Sequence, residues 1–304
     1  MSTEPARPPF FKHFASWIGI AAGTLLARLP WAIYRPMAWL LARLMRLFMR
    51  RRAHIARTNI RLCFPEYTPA QQETLYRASF DALAFSLFEF CRSWWGQLRA
   101  VDTDATIEGL ENLQNAAAKG KGVLLLAAHF MTMEYCVKIL GQNTKLAGMY
   151  RPFDNPVLEW SVLKARSSYT QHMFARDALR AVLRHLKSGG IVWMAPDQET
   201  RRGDSVYVPF FKQQAWGLTS THQLAKLSGA AVVPFFHQRL ANGNYRLCIE
   251  PALENFPGPS IIDDTERVMA VFETFIRRCP EQYLWLHARF KRQPDGKDPY
   301  RVNQ

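Results

Sequence analysis

From residue 105 onward the chain alternates short unbroken apolar runs with amphipathic stretches. The runs Thr106–Glu108, Val123–Ala128, Lys145–Tyr150, Ile191–Ala195, Ala231–His237 and Tyr245–Glu250 have the length and β-branched content of strands. Between them, Leu110–Ala118, Phe130–Leu140, Pro156–Arg166, Ala178–Lys187, Leu218–Leu227 and Thr265–Arg278 place apolar residues at helical spacing. Strand and helix in alternation predict an α/β fold with a mostly parallel central sheet flanked by helices. Upstream, Thr68-Pro69-Ala70-Gln71 is a capping box with proline at the first helical position. It opens a helix predicted to run to about Trp95, with Leu83, Leu87, Cys91 and Trp94 on one face.

The first sixty residues differ in character. Phe14–Ala27 is an uncharged stretch of 14 residues, short of the roughly 20 that a membrane span needs. Continuing past a snorkelling Arg28 to Tyr34 would reach that length. Arg28, Arg35, Arg43, Arg46, Arg50, Arg51, Arg52, Arg57 and Arg61 follow, interleaved with Leu, Trp, Met and Phe. This pattern fits a helix at a membrane surface better than a nucleic-acid tail. The stretch is either a single anchor or an interfacial helix, and the arginines after it keep the remainder on the cytoplasmic side. The division predicted is a Pro-rich tail and N-terminal helical membrane anchor over residues 1–61, and one catalytic domain over 62–304. A formal charge of +14 favours anionic partners. Five scattered cysteines without a C-x-x-C pair suit a reduced compartment and no cysteine-ligated zinc.

The candidate chemistry lies where apolar strands end. Val123-Leu-Leu-Leu-Ala-Ala runs straight into His129, and Glu134 follows five residues later. A histidine held by a carboxylate takes protons from alcohols near neutral pH. Residues five apart on one helix point about 140° apart. His129 is therefore expected in the strand-to-helix turn, with Glu134 reaching back to it. Spacing alone is weak: with eight histidines and 25 acidic residues in 304, chance gives about 0.7 such pairs. His172 and Asp177 form one, and Asp177 reads as a helix N-cap. After two neighbouring strands come Arg151, suited to gripping phosphate or carboxylate, and Asp197-Gln198 with Arg201 and Arg202, suited to hydroxyls and anions. Asn155 reads as the cap of the helix at Pro156. No G-x-S-x-G elbow, Walker A loop, dinucleotide fingerprint or H-E-x-x-H zinc motif is present.

With these residues in view the chain resembles the bacterial lipid A late acyltransferases of the lysophospholipid acyltransferase superfamily. The likeness rests on His129-Phe-Met-Thr-Met-Glu134, Tyr150-Arg-Pro-Phe-Asp-Asn-Pro156, Ala195-Pro-Asp-Gln198, Val208-Pro-Phe-Phe211 and Pro280-Glu-Gln-Tyr-Leu-Trp-Leu-His287. Glycerophosphate acyltransferases carry Asp at the place of Glu134 and Pro-Glu-Gly-Thr-Arg where this chain reads Pro196-Asp-Gln-Glu-Thr-Arg201, which favours the lipid A branch. The resemblance implies transfer of a fatty acyl group from acyl carrier protein to a hydroxyl of a Kdo-lipid A precursor in lipopolysaccharide biosynthesis. His129 would be the base, Glu134 its partner, and backbone N–H groups at the next helix start an oxyanion site. Arg151, Asp197, Gln198, Arg201 and Arg202 would bind substrate. The scheme uses no metal, cofactor or nucleic acid, and sets the enzyme among the lipids of the cell inner membrane, facing the cytoplasm. The residues also leave open an ornithine lipid, glycolipid or aryl-polyene acceptor, or a non-catalytic protein that binds anionic lipid.

Overall fold

The computed structural model describes residues 6–96, 105–199 and 204–301. Three helices, α1 (Phe14–Leu26), α2 (Trp31–Phe48) and α3 (Arg50–Cys63), precede the long α4 (Pro69–Trp95). The capping box at Thr68 forms as the sequence predicts, with Thr68 and Gln71 bonded reciprocally. The α/β part follows as β1 (Ala105–Glu108), α5 (Leu110–Ala118), β2 (Val123–Leu126), α6 (Met133–Asn143), β3 (Ala147–Tyr150), α7 (Pro156–Arg166), β4 (Met173–Ala175), α8 (Leu179–Lys187) and β5 (Ile191–Met194). A hairpin, β6 (Ser205–Phe210) and β7 (Gln213–Leu218), leads to α9 (Ser220–Ser228), β8 (Ala231–Arg239), β9 (Tyr245–Ile249) and α10 (Ile261–Arg278).

Seven strands form one sheet in the order β1-β9-β8-β2-β5-β3-β4, parallel at every pairing except β8–β9. The central strands are buried on both faces, which is why they read as unbroken apolar runs. Leu124, Leu126, Val192 and Met194 enter one core with α8, α9, α10 and α3. Val123, Leu125, Ile191 and Trp193 enter the other with α5 and α6. Pro234 sits inside β8 where its partner changes. Pairing with β2 ends there and pairing with β9 begins at Phe235, so the missing N–H falls at a break between ladders.

Within the α/β part the elements depart from those predicted in three places. The β6–β7 hairpin and the short edge strand β4 are additions to the predicted elements. Asp177 does not cap α8: the cap position is Ala178, without a side-chain bond. Asn155 does cap α7, its Oδ1 accepting from the N–H groups of Val157 and Leu158.

No helix among the described residues is long and apolar enough to cross a membrane. The continuation from Phe14 to Tyr34 is broken, because α1 stops at Leu26 and Pro30 starts a new helix. α1 and α2 instead lie along α4. Tyr34, Ala38 and Ala42 of α2 pack on Ala84 and Phe88. The expected domain boundary at residue 61 falls within α3, whose Ala53, Ala56 and Ile60 belong to the main core. In α1, Gly23 meets the ring of Trp95, and a Cβ there would overlap that ring. Gly23→Val should therefore lever α1 off α4. The expected cost is about 1–3 kcal/mol, measurable by thermal unfolding, with new proteolytic cleavage within residues 14–30. An unchanged melting temperature would show that this contact is not tight.

Candidate active site

Two adjacent parallel strands set up the site. In the β2–β5 ladder Leu126 stands opposite Met194, and Ala127 donates its N–H to the Met194 carbonyl (2.9 Å). Three residues beyond each strand come His129 and Asp197, so register brings them to the same level at the carboxyl edge of the sheet. Open α/β sheets build their sites at this edge. His129 Nδ1 lies 2.6 Å from Asp197 Oδ1, and the His129 backbone N–H donates to Oδ2 at 3.2 Å. Tyr283 Oη donates to the same Oδ2 at 3.0 Å. An ionised carboxylate only accepts, so Nδ1 carries the ring proton and Nε2 is left with a lone pair. The Asp197 side chain is 0% exposed and that of His129 28%. One end of the ring is thus anchored in the protein and the other is open to a substrate.

The electrostatics follow from this arrangement. Burial pulls the His129 imidazolium pKa down, but the charge and hydrogen bond of Asp197 outweigh it and the net displacement is upward. Burial pushes the Asp197 carboxyl up, and His129 together with the Tyr283 hydroxyl brings it below its ordinary value. His287, close enough to feel both, is driven by burial down to about 4 and stays neutral.

His129 lies outside the helix, as its spacing from Glu134 predicts. The partner differs from the one expected. Glu134, in the first turn of α6, is turned away into a buried network. Arg166 Nε donates to its Oε1 (2.8 Å), Arg166 Nη2 to its Oε2 (2.6 Å) and Tyr169 Oη to its Oε1 (2.6 Å). Burial alone would raise the Glu134 carboxyl, and Arg166 and Tyr169 reverse this. The acid on the His129 ring is therefore Asp197, which the sequence placed among the substrate-binding groups. The amides at the α6 start are also committed: Met131 N–H donates to the Gln282 carbonyl and Met133 N–H to that of Phe130. The oxyanion site expected there is not open at those two groups.

A profile of the family described as bacterial lipid A biosynthesis acyltransferase matches residues 9–292. The chain is 33% identical over 291 residues to the lipid A biosynthesis lauroyltransferase of Escherichia coli (strain K12), the match covering 94% of each chain. It is 33% identical over 292 residues to the palmitoleoyltransferase of the same organism, again covering 94% of each. The chain belongs to the bacterial lipid A biosynthesis acyltransferases. The lipid A biosynthesis myristoyltransferase of that organism is 26% identical over 302 residues, covering 95% of this chain and 91% of its own. Among solved structures, the 1-acyl-sn-glycerophosphate acyltransferase PlsC of Thermotoga maritima aligns over 82% of this chain and 97% of its own. Its identity is 18% and its TM-score 0.39.

In this member of the lipid A acyltransferases the remaining candidates scatter. Arg151 follows β3 at the same sheet edge but is solvent-exposed and paired with Asp154 (3.2 Å). Gln198 is half-buried beside Asp197. Arg201 and Arg202 lie outside the described residues. His172 makes no ion pair with Asp177 among the described residues; its ring faces Phe174 and His185. Sequence reasoning missed Arg166, Tyr169 and the hydroxyl of Tyr283, although Tyr283 lies in a segment that carried the family resemblance. Nothing local marks Arg166, which reads as an ordinary basic residue at a helix end. Glu134→Ala should leave Arg166 as an unpaired buried cation. A loss of about 3–5 kcal/mol is expected in denaturant titration. A loss below about 1 kcal/mol would contradict the buried-pair reading.

Proposed function

We propose that the chain transfers a fatty acyl group from a thioester donor, acyl carrier protein, to a hydroxyl of a Kdo-lipid A precursor, with His129 as general base and Asp197 as its orienting acid. The observation that carries this reading is the His129–Asp197 pair, buried at the acid and open at Nε2. Nε2 takes the proton of the acceptor hydroxyl while its oxygen attacks the thioester carbonyl carbon. The tetrahedral adduct then collapses, the C–S bond breaks, and the imidazolium returns the proton to the leaving sulfur. The products are an ester and a free thiol. Asp197 keeps the proton on Nδ1 and stabilises the imidazolium between the two steps. Glu134 holds Arg166 and thereby ties α6 to α7. No metal or cofactor enters this scheme. Arg151, Gln198, Arg201 and Arg202 remain candidates for the anionic and hydroxyl groups of the substrates.

We infer further that the enzyme sits in the cytoplasmic-side interface of the inner membrane without spanning it. α1 and α2 support this with a large unpartnered apolar surface. Ile18, Leu25, Ile33, Trp39, Leu40 and Leu44 are all exposed, alongside the exposed cations Arg35 and Arg43. An apolar face with basic residues beside it suits an interfacial helix on anionic lipid. It also brings the enzyme to an acceptor that would lose about 0.8 kcal/mol per methylene on leaving the bilayer.

Three experiments test these readings. His129→Ala should cut acyl transfer from acyl carrier protein thioester by about 10²–10⁴, and cells relying on that variant should lack one secondary acyl chain in the mass spectrum of their lipid A. Wild-type turnover in His129→Ala would dismiss the base. In Asp197→Asn the anion that raises the His129 pKa is gone, so the acidic limb of the rate profile should move to lower pH while the plateau drops. For the membrane, Leu40→Glu with Leu44→Glu should weaken binding to anionic vesicles by at least roughly tenfold at an unchanged melting temperature. Undiminished binding would place the lipid contact elsewhere.

A further inference from the structure

Asp197 is reached by donors from two sides, and one belongs to the far end of the chain. The segment from Pro280 to His287 crosses the sheet edge as a strap. Its Tyr283 forms an antiparallel bridge with Phe130, the Leu284 N–H donates to the His129 carbonyl (3.0 Å) and the Met131 N–H to the Gln282 carbonyl (2.7 Å). The strap is itself pinned. Gln282 spans the backbone of Arg239, accepting its N–H at 2.8 Å and donating to its carbonyl at 2.7 Å. Asn59 of α3 donates to the carbonyls of Trp285 (2.6 Å) and His287 (2.7 Å). The Tyr283 ring is buried against Phe130 and Trp285. The phenol oxygen is thus fixed 3.0 Å from Asp197 Oδ2 by contacts that do not depend on Asp197.

We propose that Tyr283 is a positioning residue of the dyad: its hydroxyl holds Oδ2 so that Oδ1 faces His129 Nδ1, and it disperses part of the carboxylate charge. The proposal rests on the reading of His129 as general base. With Oδ2 bonded only to a backbone N–H at 3.2 Å, the carboxylate can tilt beside a neutral ring and fixes its tautomer less firmly, whereas a protonated ring draws it back by charge. Burial, reinforced by the Asp197 charge, keeps the phenol protonated well above its ordinary range, so it remains a donor wherever the enzyme works. The other ionisable groups in this field are His287, which feels both members of the dyad, Arg289, which feels Asp197 and Tyr283, and Cys63 of α3, which acts on Tyr283; Arg52 acts on His287, and Glu199 and Tyr300 act on Arg289. All are the same in wild type and variant, so their field cancels in the comparison.

The test is the pH profile of Tyr283→Phe in the full-length enzyme, which removes one oxygen and no packing volume. kcat should fall roughly tenfold, the order expected for a hydrogen bond to a charged group, with KM for both substrates unchanged. The acidic limb should move to higher pH, because a carboxylate that has lost a donor holds the imidazolium proton more strongly. This is opposite in sign to Asp197→Asn. A limb that stays in place, or an unchanged kcat, would overturn the proposal, and a loss of stability alone would not move the limb. If Tyr283→Phe does not fold, 3-fluorotyrosine at position 283 supplies a stronger donor of nearly the same size. The limb should then move to lower pH, and an unmoved limb again overturns the proposal. His129→Ala separates the two levels. Full activity in that variant would remove the base itself, whereas an inactive His129→Ala beside an unmoved limb in Tyr283→Phe would remove only the role of Tyr283.

Discussion

The hydrogen bond between His129 and Asp197 depends on strand register before it depends on side-chain chemistry. Leu126 faces Met194, and each chain then travels three residues beyond its strand. A slip of one residue would turn every side chain of β2 to the opposite face, exchanging the two cores and separating the dyad. Register is secured because both faces are buried: Val123 and Leu125 belong to one core, Leu124 and Leu126 to the other. The packing that makes the central strands apolar is therefore also what aims the catalytic groups. Tertiary contacts then lock the aim, since the strap around Tyr283 holds the loop of His129 from the far end of the chain and Asn59 of α3 holds the strap.

Hydrogen-bond partners divide two buried carboxylates into different roles. Asp197 has no solvent and three donors, one of them a titrating imidazole, so its charge reaches the reacting end of the ring. Glu134 has a guanidinium in bidentate contact and a phenol, so its charge is spent on Arg166. A lone buried carboxylate would neutralise itself instead. α7, which carries Arg166, is in turn fastened at its start by Asn155, whose side chain caps the helix and reaches Ser16 of α1 (2.8 Å). The N-terminal helices, the helix behind the dyad and the dyad itself thus form one mechanical chain.

Much of this was legible in the sequence. The buried strands announce themselves as apolar runs because parallel strands covered on both faces have no polar side. The loop position of His129 followed from helix geometry alone. What the sequence could not reveal was pairing across the sheet. Five-residue spacing suggested Glu134 as the partner, but strand order decided for Asp197, 68 residues away. The β6–β7 hairpin was hidden for a local reason. Its turn uses Phe211 and Lys212 at positive φ instead of Asn-Gly, and Pro209 lies in the strand. The N-terminal stretch does not form one continuous helix because α1 ends at Leu26 and Pro30 starts another, a break that summed hydrophobicity does not register.

The most direct measurement is the tautomer of His129, read by nitrogen-15 NMR on histidine-labelled enzyme at a pH where the ring is neutral. A dyad of His129 with Asp197 puts the proton on Nδ1 and leaves a free lone pair on Nε2, with that preference lost in Asp197→Asn and unaffected by charge removal in Glu134→Gln. A neutral ring protonated at Nε2, or a tautomer that responds to Glu134 and not to Asp197, would contradict it.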